Sequence, residues 1–415
     1  MPRKTHRYTK HRHAHPWGAP PWTVDFRPAP CALPNHVDFA IIGAGFSGLS
    51  AAAWLRRLAP GRSVLVLESA SLGDGASGRT GGMALADTAA GPLPGLGDVL
   101  AGYKKILRAL RIDSRLKLPG VWELGHSAPA AKGSGPARKH SPVSWSDSGE
   151  LKVVRRVPGG TVDPGKVLAG LARAAETAGA QIIEHAEARA LDLSNPLRLQ
   201  VHRNLRGRIH QKEIRAGQVL LATNAFSLEL SGLQATAVPK LTLALATAPL
   251  SAAQLKAIGL ASRRPFYTVD FPYLWGRLLE SNGVIFGSGL VPAYVGPPSS
   301  FPLGDISMKN AAHNLRRYDV RWGEAAARLD WLEKRVHQLH PALANVRITH
   351  RWGGPILLTE EMRPLFRWLT PKGHPRTKQV IVLAGFNGHG VALSVYLGQW
   401  AAQALLHRRP LPPWH

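Results

Sequence analysis

The sequence is poor in the residues on which several classes of site depend. Cys31 is its only cysteine, so an internal disulfide and a cysteine-based zinc or iron–sulfur site are excluded. No run approaches the ~20 apolar residues that a membrane-spanning helix needs, and no apolar signal-peptide stretch follows the basic N-terminus. We therefore expect a cytoplasmic protein without a transmembrane segment and without a metal site.

Acidic residues are also scarce, most of all near the N-terminus. The chain holds 26 acids against 52 Lys and Arg residues, which gives a formal net charge of +26. Such a balance is typical of polyanion-binding proteins, so one hypothesis is a basic nucleic-acid-binding or membrane-surface protein with a vestigial nucleotide fold. The first acid is Asp25, and residues 1–24 are predicted to form a basic, disordered tail. Elsewhere the charge is spread along the chain without a nucleic-acid motif, which disfavours nucleic acid as a partner.

Glycine, by contrast, is abundant, and its placement gives the first functional signal. Residues 37–68 alternate between apolar strand and helix patterns as a strand–helix–strand unit does. Gly43, Gly45 and Gly48 stand where the strand turns into the helix. There they permit a tight turn, close approach of a pyrophosphate and close packing of helix on strand. The stretch predicts a dinucleotide site.

Glu68 ends the second strand of this unit, twenty residues after Gly48. A carboxylate at that place can accept hydrogen bonds from the adenosine ribose and would repel a 2′-phosphate. NADP is therefore disfavoured, and FAD and NAD remain as alternatives. Further dinucleotide elements are predicted in the glycine-rich segment 73–83, the strand end at 219–225 and the strand, glycine turn and helix start at 383–394.

The residue pattern changes from about residue 238, where apolar strand-like runs predict a largely antiparallel sheet. A long amphipathic helix is predicted after it, at 321–339. Nucleotide-binding patterns therefore occur at both ends of the chain with sheet patterns between them, which predicts a discontinuous first domain. We expect an FAD-binding or NAD-binding domain made of residues 25–90, 155–236 and 350–410. A substrate domain would then comprise residues 91–154 and 237–349.

Six segments together resemble the FAD-dependent oxidoreductases of the D-amino-acid oxidase and glycine oxidase superfamily, and within it the gamma-glutamylputrescine oxidase-like branch. They are DFAIIGAGFSGLSAAAWL, VLVLESASLGDGASGRTGGM, VPGGTVDPGKVLAGLARAAETAGA, VLLATNAFS, HRWGGPI and AGFNGHGVALS. The resemblance implies an α/β fold (α+β overall), in which a Rossmann-type FAD domain carries an inserted mixed or antiparallel-sheet substrate domain, as in p-hydroxybenzoate hydroxylase. It covers roughly residues 20–408.

The resemblance also implies which residues contact FAD, from the diphosphate and ribose to the flavin ring. These are Gly43, Gly45, Phe46, Ser47, Gly48, Glu68, Ser69, Ala76, Ser77, Gly78, Arg79, Thr80, Gly81, Gly82, Met83, Ala188, Ala222, Thr223, Asn224, Gly388, His389, Gly390 and Val391. Some relatives attach FAD through a His in the first glycine region or a Cys near the last. Neither residue type stands there in this chain, which implies noncovalent FAD.

The substrate site is less clear from the sequence. Tyr273 and Arg277 are candidates for binding a substrate carboxylate, because relatives use a Tyr and an Arg in this role and Arg can grip a carboxylate with two hydrogen bonds. His389 and Arg351 are the other catalytic candidates. For Tyr273 and Arg277, packing in the interdomain core is an equally good interpretation, and the same alternative is preferred for Tyr267 and Trp275.

The function that follows is oxidation of the C–N bond of an amine or amino acid to an imine, which water hydrolyses to a carbonyl. Substrates of the gamma-glutamylputrescine, glycine or sarcosine, and D-amino-acid types all fit this chemistry. The flavin carries out the hydride removal, so the absence of a recognisable acid–base or metal constellation is consistent with it. Re-oxidation by O2, with H2O2 as product, is the first hypothesis; an amine or amino-acid dehydrogenase that passes electrons to a quinone or carrier is the alternative.

Overall fold

The computed structural model describes residues 15–126, 141–226, 228–233, 236–292, 314–369 and 378–414, and all structural statements below refer to these residues. In chain order, the strands are β1 (His36–Ile42), β2 (Val64–Leu67), β3 (Met83–Leu85), β4 (Val121–Gly125), β5 (Ser144–Ser146), β6 (Glu150–Val157), β7 (Gly159–Thr161), β8 (Gln181–Ile183), β9 (Ala186–Asp192), β10 (Leu197–Leu205), β11 (Arg208–Leu221), β12 (Ala237–Thr247), β13 (Phe266–Thr268), β14 (Trp275–Leu278), β15 (Val284–Pro292), β16 (Ile348–Thr359), β17 (Leu365–Trp368) and β18 (Val380–Ala384). The helices are α1 (Phe46–Leu58), α2 (Ala76–Arg79), α3 (Val99–Ala109), α4 (Pro164–Thr177), α5 (Leu228–Ser231), α6 (Ala252–Ala257), α7 (Gly323–Leu339) and α8 (Gly390–Leu405).

The first sheet contains the strand–helix–strand unit predicted from the sequence. Its central order is β17–β18–β11–β1–β2–β8, and β9 and β10 extend it beside β11. From β18 to β8 the neighbours are parallel, as β–α–β crossovers require. Consequently the carboxyl ends of β1, β2 and β11 meet at one edge of the sheet, where ligands of such folds bind.

Helix α1 joins β1 to β2 and lies buried between α4 and α8. Its contact with α8 is close, because a Cβ atom on Gly398 would stand 2.5 Å from the carbonyl oxygen of Ser47. The Ser50 hydroxyl donates a hydrogen bond to the Val395 carbonyl at 2.7 Å and fixes the two helices in register. The segments of residues 46–58 and 390–405 therefore belong to one packed layer although the sequence separates them widely.

The second sheet has the order β16–β12–β15–β14–β13–β4–β6–β5. Its neighbours are antiparallel except for the parallel pair β13 and β4, so the predicted mixed or antiparallel sheet is confirmed. One face packs on α7 through Leu332, Val336 and Leu339, in a cluster that also contains the buried aromatic rings of Trp145 and Phe266. The opposite face of β13 and β14 is therefore turned away from this core, because side chains alternate along a strand.

Three segments pack differently from the predicted domain boundaries. Strand β16, predicted within the FAD domain, pairs along its length with β12 in the second sheet. Strand β6 crosses the predicted boundary at 154/155 and pairs with β4 in the same sheet. Helix α3, predicted within the substrate domain, packs on α8, where a Cβ atom on Gly102 would meet the Tyr396 ring at 2.3 Å. Local patterns do not reveal such pairings, since the partners are distant in sequence. The two-domain division itself stays a prediction.

The predicted disordered tail of residues 1–24 also needs a correction. Residues 15–24 have a defined packed position; Trp17 is buried, and its indole N–H donates a hydrogen bond to the Leu315 carbonyl at 2.8 Å. Residues 1–14 lie outside the described part of the chain. Among the described residues, no helix combines the length and the apolar character that crossing a membrane would require.

Candidate FAD site

The turn between β1 and α1 has the tight geometry that its glycines predict. Gly43 has a φ of +104°, and a Cβ atom there would lie 2.6 Å from the carbonyl oxygen of Ala222 on the neighbouring strand end. A Cβ atom on Gly48 would lie 2.0 Å from the carbonyl oxygen of Gly43. No side chain larger than hydrogen fits at either position, so the backbone can approach both the next strand and a ligand closely.

A cavity of about 500 Å³ opens at the carboxyl edge of the first sheet, beside this turn. The volume lies within the range of about 300–1,000 Å³ that is typical of ligand and cofactor sites. Eleven residues predicted from the sequence to bind the cofactor line this cavity. They are Gly43, Gly45, Glu68, Ser69, Ala76, Ser77, Gly78, Ala188, Ala222, Thr223 and Asn224.

Glu68 lies at this cavity with its carboxylate held by two backbone donors. The Ala44 N–H donates to Oε2 at 3.1 Å and the Ala70 N–H donates to Oε1 at 3.0 Å. The Ser69 hydroxyl also donates to Oε1, at 3.5 Å, so Oε2 is the oxygen that keeps a lone pair for a further donor, such as a ribose hydroxyl. Burial raises the pKa of Glu68, and the two N–H bonds partly offset that effect.

The N-terminus of α1 also borders the cavity and has no acidic residue in its first turn. The Phe46 N–H donates to the Ser77 hydroxyl at 2.9 Å, which places α2 directly against the start of α1. The positive end of the helix dipole at this turn favours an anion such as a diphosphate.

The remaining predicted cofactor residues do not line this cavity. They are Phe46, Ser47, Gly48, Arg79, Thr80, Gly81, Gly82, Met83, Gly388, His389, Gly390 and Val391. Phe46 and Val391 have their side chains in the core around α1 and α8, so contact with a cofactor would have to come from their backbone. The cavity thus brings eleven predicted residues together, and their contacts with FAD, like those predicted for the flavin ring, stay a prediction.

The Arg79 guanidinium points into the protein and not into the cavity. Its Nη1 donates to the carbonyls of Gly18 at 2.9 Å and Trp17 at 3.3 Å, and its Nε donates to the Asp74 carbonyl at 3.0 Å. Burial lowers the pKa of Arg79 to about 10, although the Asp74 charge opposes this. Arg79 therefore holds protein backbone, which a motif comparison could not reveal.

Gly81 brings the glycine-rich segment 73–83 into contact with the face of the second sheet that points away from α7. A Cβ atom on Gly81 would stand 2.2 Å from the Trp275 ring, and the Arg277 Nε–H donates to the Gly81 carbonyl. Arg277 is only 7% exposed, and burial lowers its pKa to about 10. The structure gives Arg277 no further hydrogen bond within the described residues, while its guanidinium lies over the Trp22 ring at 5.8 Å.

Glu123, Tyr267 and Trp275 share this sheet face with Arg277, because the strand register pairs Tyr267 with both Glu123 and Trp275. The Tyr267 hydroxyl donates to Glu123, and Arg155 Nη2 donates to the same carboxylate at 2.9 Å. Burial, followed by the hydrogen bond to Glu123, raises the pKa of Tyr267 above its usual range. The prediction missed Glu123, although a lone acid inside the apolar strand VWELG is a usable signal.

His389 occupies the N-cap position of α8 without a capping hydrogen bond from its side chain, and its Nδ1 lies 3.2 Å from the Asn387 carbonyl oxygen. Burial lowers its pKa, and the Asp87 carboxylate partly opposes this shift. Asp87 also contributes to the raised pKa of Tyr267, after burial and Glu123. The start of α8 and the Tyr267 side of the second sheet therefore lie within electrostatic range of one carboxylate.

Two predicted catalytic residues lie elsewhere. Tyr273 is 47% exposed on the turn before β14, where its ring packs on Phe271 at 4.3 Å. Arg351 pairs with Asp330 at 2.6 Å and with Glu333, both on α7. Trp352, the next residue on β16, points the other way, and its indole N–H donates to the Arg79 carbonyl at 3.0 Å. Strand alternation thus directs Arg351 towards α7 and away from Arg79, which corrects its assignment.

The described residues hold no group of three or more His, Cys, Asp and Glu side chains arranged to bind a metal ion. The prediction also missed residues 15–17, Phe226 and Arg316, which line the cavity. They lie outside every glycine motif.

Comparisons with known proteins agree with this geometry. The family model DAO, described as FAD dependent oxidoreductase, matches residues 38–404. A curated relative named "Probable oxidoreductase OrdL", from Haemophilus influenzae, is 26% identical over 92% of this chain and 86% of its own length. Glycine oxidase from Geobacillus kaustophilus superposes with a TM-score of 0.63 at 19% identity, covering 91% of this chain and 96% of that chain.

A second solved structure has a similar fold. L-amino acid deaminase from Proteus myxofaciens, in complex with anthranilate, superposes with a TM-score of 0.66 at 16% identity and covers 95% of each chain. At this level of identity the two structural matches establish the fold alone. The curated relative's name does not test the gamma-glutamylputrescine branch, which stays a prediction.

Proposed function

Because this chain belongs to the DAO family of FAD-dependent oxidoreductases, we propose that it oxidises the C–N bond of an amino acid or of an amine that carries a carboxylate. The product would be an imine, which water hydrolyses to a carbonyl compound and to ammonia or, from a secondary amine, an amine. A hydride leaves the substrate carbon and a proton leaves its nitrogen, and O2 accepts the two electrons together with two protons to give H2O2. The solved relatives named above as a glycine oxidase and an L-amino acid deaminase support this substrate class.

The observation that carries this proposal is the state of Arg277. Its guanidinium is buried where Gly81 meets the second sheet and has one hydrogen bond within the described residues, from Nε to the Gly81 carbonyl. A buried cation with free donors is costly unless an anion pairs with it. A substrate carboxylate would supply that anion and accept two parallel hydrogen bonds from the two terminal nitrogens.

The residues of the cavity fit the adenosine ribose and the diphosphate of FAD. Glu68 Oε2 keeps a lone pair for a ribose hydroxyl, and the positive end of the α1 dipole favours the diphosphate. Neither a His in GASGRTGG nor a Cys in GFNGHG is present for covalent attachment. We therefore expect acid precipitation to release all the yellow colour into the supernatant; colour retained in the pellet would contradict noncovalent binding.

The bound FAD would supply the hydride acceptor, and the chain would orient the substrate and exclude water. Arg277 would hold the carboxylate, and Trp275, which packs against Gly81, would fix the floor of the site. Tyr267 keeps its proton because its pKa is raised, so it presents a neutral hydroxyl that stays bonded to Glu123. Substrates of the gamma-glutamylputrescine, glycine or sarcosine, and D-amino-acid types all carry the carboxylate that Arg277 requires.

Steady-state kinetics of Arg277→Met tests this assignment. H2O2 formation would be measured with glycine, sarcosine, D-alanine and gamma-glutamylputrescine, and with putrescine as the amine without a carboxylate. Loss of a charged hydrogen bond costs about 1.5–3 kcal/mol, so KM for carboxylate substrates should rise roughly 10- to 100-fold. Arg277→Lys should recover part of the loss.

Arg351→Met provides the matched control, since this arginine lies in the same sheet but pairs with α7. We expect it to leave KM unchanged. An Arg277→Met variant that keeps wild-type KM for every carboxylate substrate would refute the role of Arg277.

A further inference from the structure

The N-terminal strap, residues 15–22, is built into the wall of the cavity. His15, Pro16 and Trp17 line it directly. The Trp17 ring is 3% exposed and stacks on Phe226, another wall residue, at 6.2 Å. Arg316 also lines the cavity, with its guanidinium over the Phe226 ring at 5.3 Å. One side of the cavity is therefore made in part by residues 15–17 and Arg316, which lie outside all the nucleotide-binding motifs.

Backbone hydrogen bonds fasten the strap to the second sheet and to the segment before α7. The Gly353 N–H donates to the Trp17 carbonyl at 2.8 Å, and the Val320 N–H donates to the Pro16 carbonyl at 2.8 Å. A Cβ atom on Gly18 would stand 2.1 Å from the Arg351 carbonyl oxygen, so the strap lies directly on the backbone of β16. The second sheet thus reaches the cavity through the strap.

Arg79 connects the strap to the glycine-rich segment 73–83 by hydrogen bonds. Arg79 is 5% exposed. Its Nη1 donates to the Gly18 and Trp17 carbonyls, and its Nε donates to the backbone carbonyl of Asp74. The Trp17 ring also lies 5.6 Å below its guanidinium. Removing Arg79 would leave buried carbonyls without this donor, a loss that destabilises the docked strap.

We propose that the docked strap retains FAD and that Arg79 is the positioning residue that keeps the strap docked; this rests on the proposed function, because it takes the cavity as the FAD site. FAD in the cavity would contact His15, Pro16 and Trp17, so the cofactor stabilises the docked strap. By linkage, the docked strap stabilises bound FAD to the same extent. Loosening the strap then speeds FAD release without altering any residue of the glycine turn.

The test measures FAD release from the holoprotein as the rise in flavin fluorescence after dilution. Trp17→Ala and Arg79→Met should each speed release about tenfold, equivalent to about 1.4 kcal/mol if rebinding is unchanged. Trp17→Phe, which keeps an aromatic ring against Phe226, should lie between wild type and Trp17→Ala. Arg79→Lys should recover part of the retention.

Arg335→Met is the matched control, because Arg335 is buried to 7% exposure but pairs with Asp147 away from the cavity. It should destabilise the fold and leave the release rate within about twofold of wild type, a change below about 0.5 kcal/mol. Release from Trp17→Ala and Arg79→Met at the wild-type rate would overturn the proposal. So would equal acceleration by Arg335→Met, since release would then follow general stability.

A second measurement needs no variant. Hydrogen exchange in the peptide that spans residues 15–24 should be slower with FAD bound than after FAD removal, because the strap and cofactor stabilise each other. Equal exchange in both states would overturn the proposal. A protein that purifies without flavin and binds none would refute the proposed function as well, whereas a flavoprotein with unchanged strap exchange would refute the strap alone.

Discussion

At the scale of single residues, Glu68 and Arg277 mark the two ends of the proposed site and differ in how they could be found. Glu68 follows a glycine motif at a fixed spacing, and the structure places it at the cavity with two backbone donors on its carboxylate. From the sequence, carboxylate binding and core packing were equally good interpretations of Arg277. Burial together with a single hydrogen bond favours carboxylate binding, and neither property can be read from a pattern of alternating residues.

Substitution of Glu68 tests the ribose contact. Glu68→Ala removes an acceptor for the ribose hydroxyls, so FAD affinity should fall roughly 10- to 100-fold, about 1.5–3 kcal/mol. The measurement is the dissociation constant of FAD from flavin fluorescence quenching. Glu184→Ala serves as the control, because its carboxylate accepts from the Leu72 N–H and does not line the cavity. Equal FAD affinity in Glu68→Ala and wild type would contradict the assignment.

At the scale of elements, the start of α8 is predicted to face the ring end of the cofactor. His389 stands there with its pKa lowered by burial, so it is neutral at pH 7. If the helix start stabilises charge that develops during reduction, His389→Leu should slow anaerobic flavin reduction more than it weakens FAD binding. His337→Leu on α7, which loses a bond to the Val346 carbonyl, is the control. Wild-type reduction by His389→Leu would remove this residue from the site.

Strands β1 and β2 are tied together at their start by Asp38, and this tie depends on pH. Burial opposes ionisation of Asp38, but hydrogen bonds from Arg62 and from Ser63 prevail and lower its pKa from 3.8 to about 2. The folded state therefore favours the carboxylate, and its stabilising effect is complete above pH 3.8 and lost as the pH falls towards 2. Asp38→Asn should lower the thermal midpoint at pH 7. A midpoint equal to wild type at pH 7 would contradict this role.

Elements also show where sequence prediction reached its limit. The β1–α1–β2 unit and the α8 turn were predictable because their signals lie within about thirty consecutive residues. The placement of β16 beside β12 was not, because the two strands are about a hundred residues apart and strand patterns do not specify partners. For the same reason, the sequence did not show on which side of the sheet the Arg351 side chain lies; its ion pairs with α7 do.

At the scale of the whole molecule, the composition was misleading at one point. The basic character of residues 1–16 predicted a tail that extends to residue 24, yet Trp17 and Trp22 pack beside Arg79 and Arg277. Two tryptophans within the stretch HPWGAPPW were the available signal, because large aromatic residues seldom stay in solvated tails. The strap therefore packs between the glycine-rich segment that contains Arg79 and the strand of the second sheet that contains Arg277.

C–N oxidation is tested most directly by an anaerobic titration of the purified protein with amines and amino acids. We predict that at least one carboxylate-bearing compound bleaches the visible flavin absorbance under nitrogen. Readmitted air should restore the absorbance with formation of H2O2. A protein that carries flavin but keeps its absorbance with every amine and amino acid tested would contradict C–N oxidation as its function.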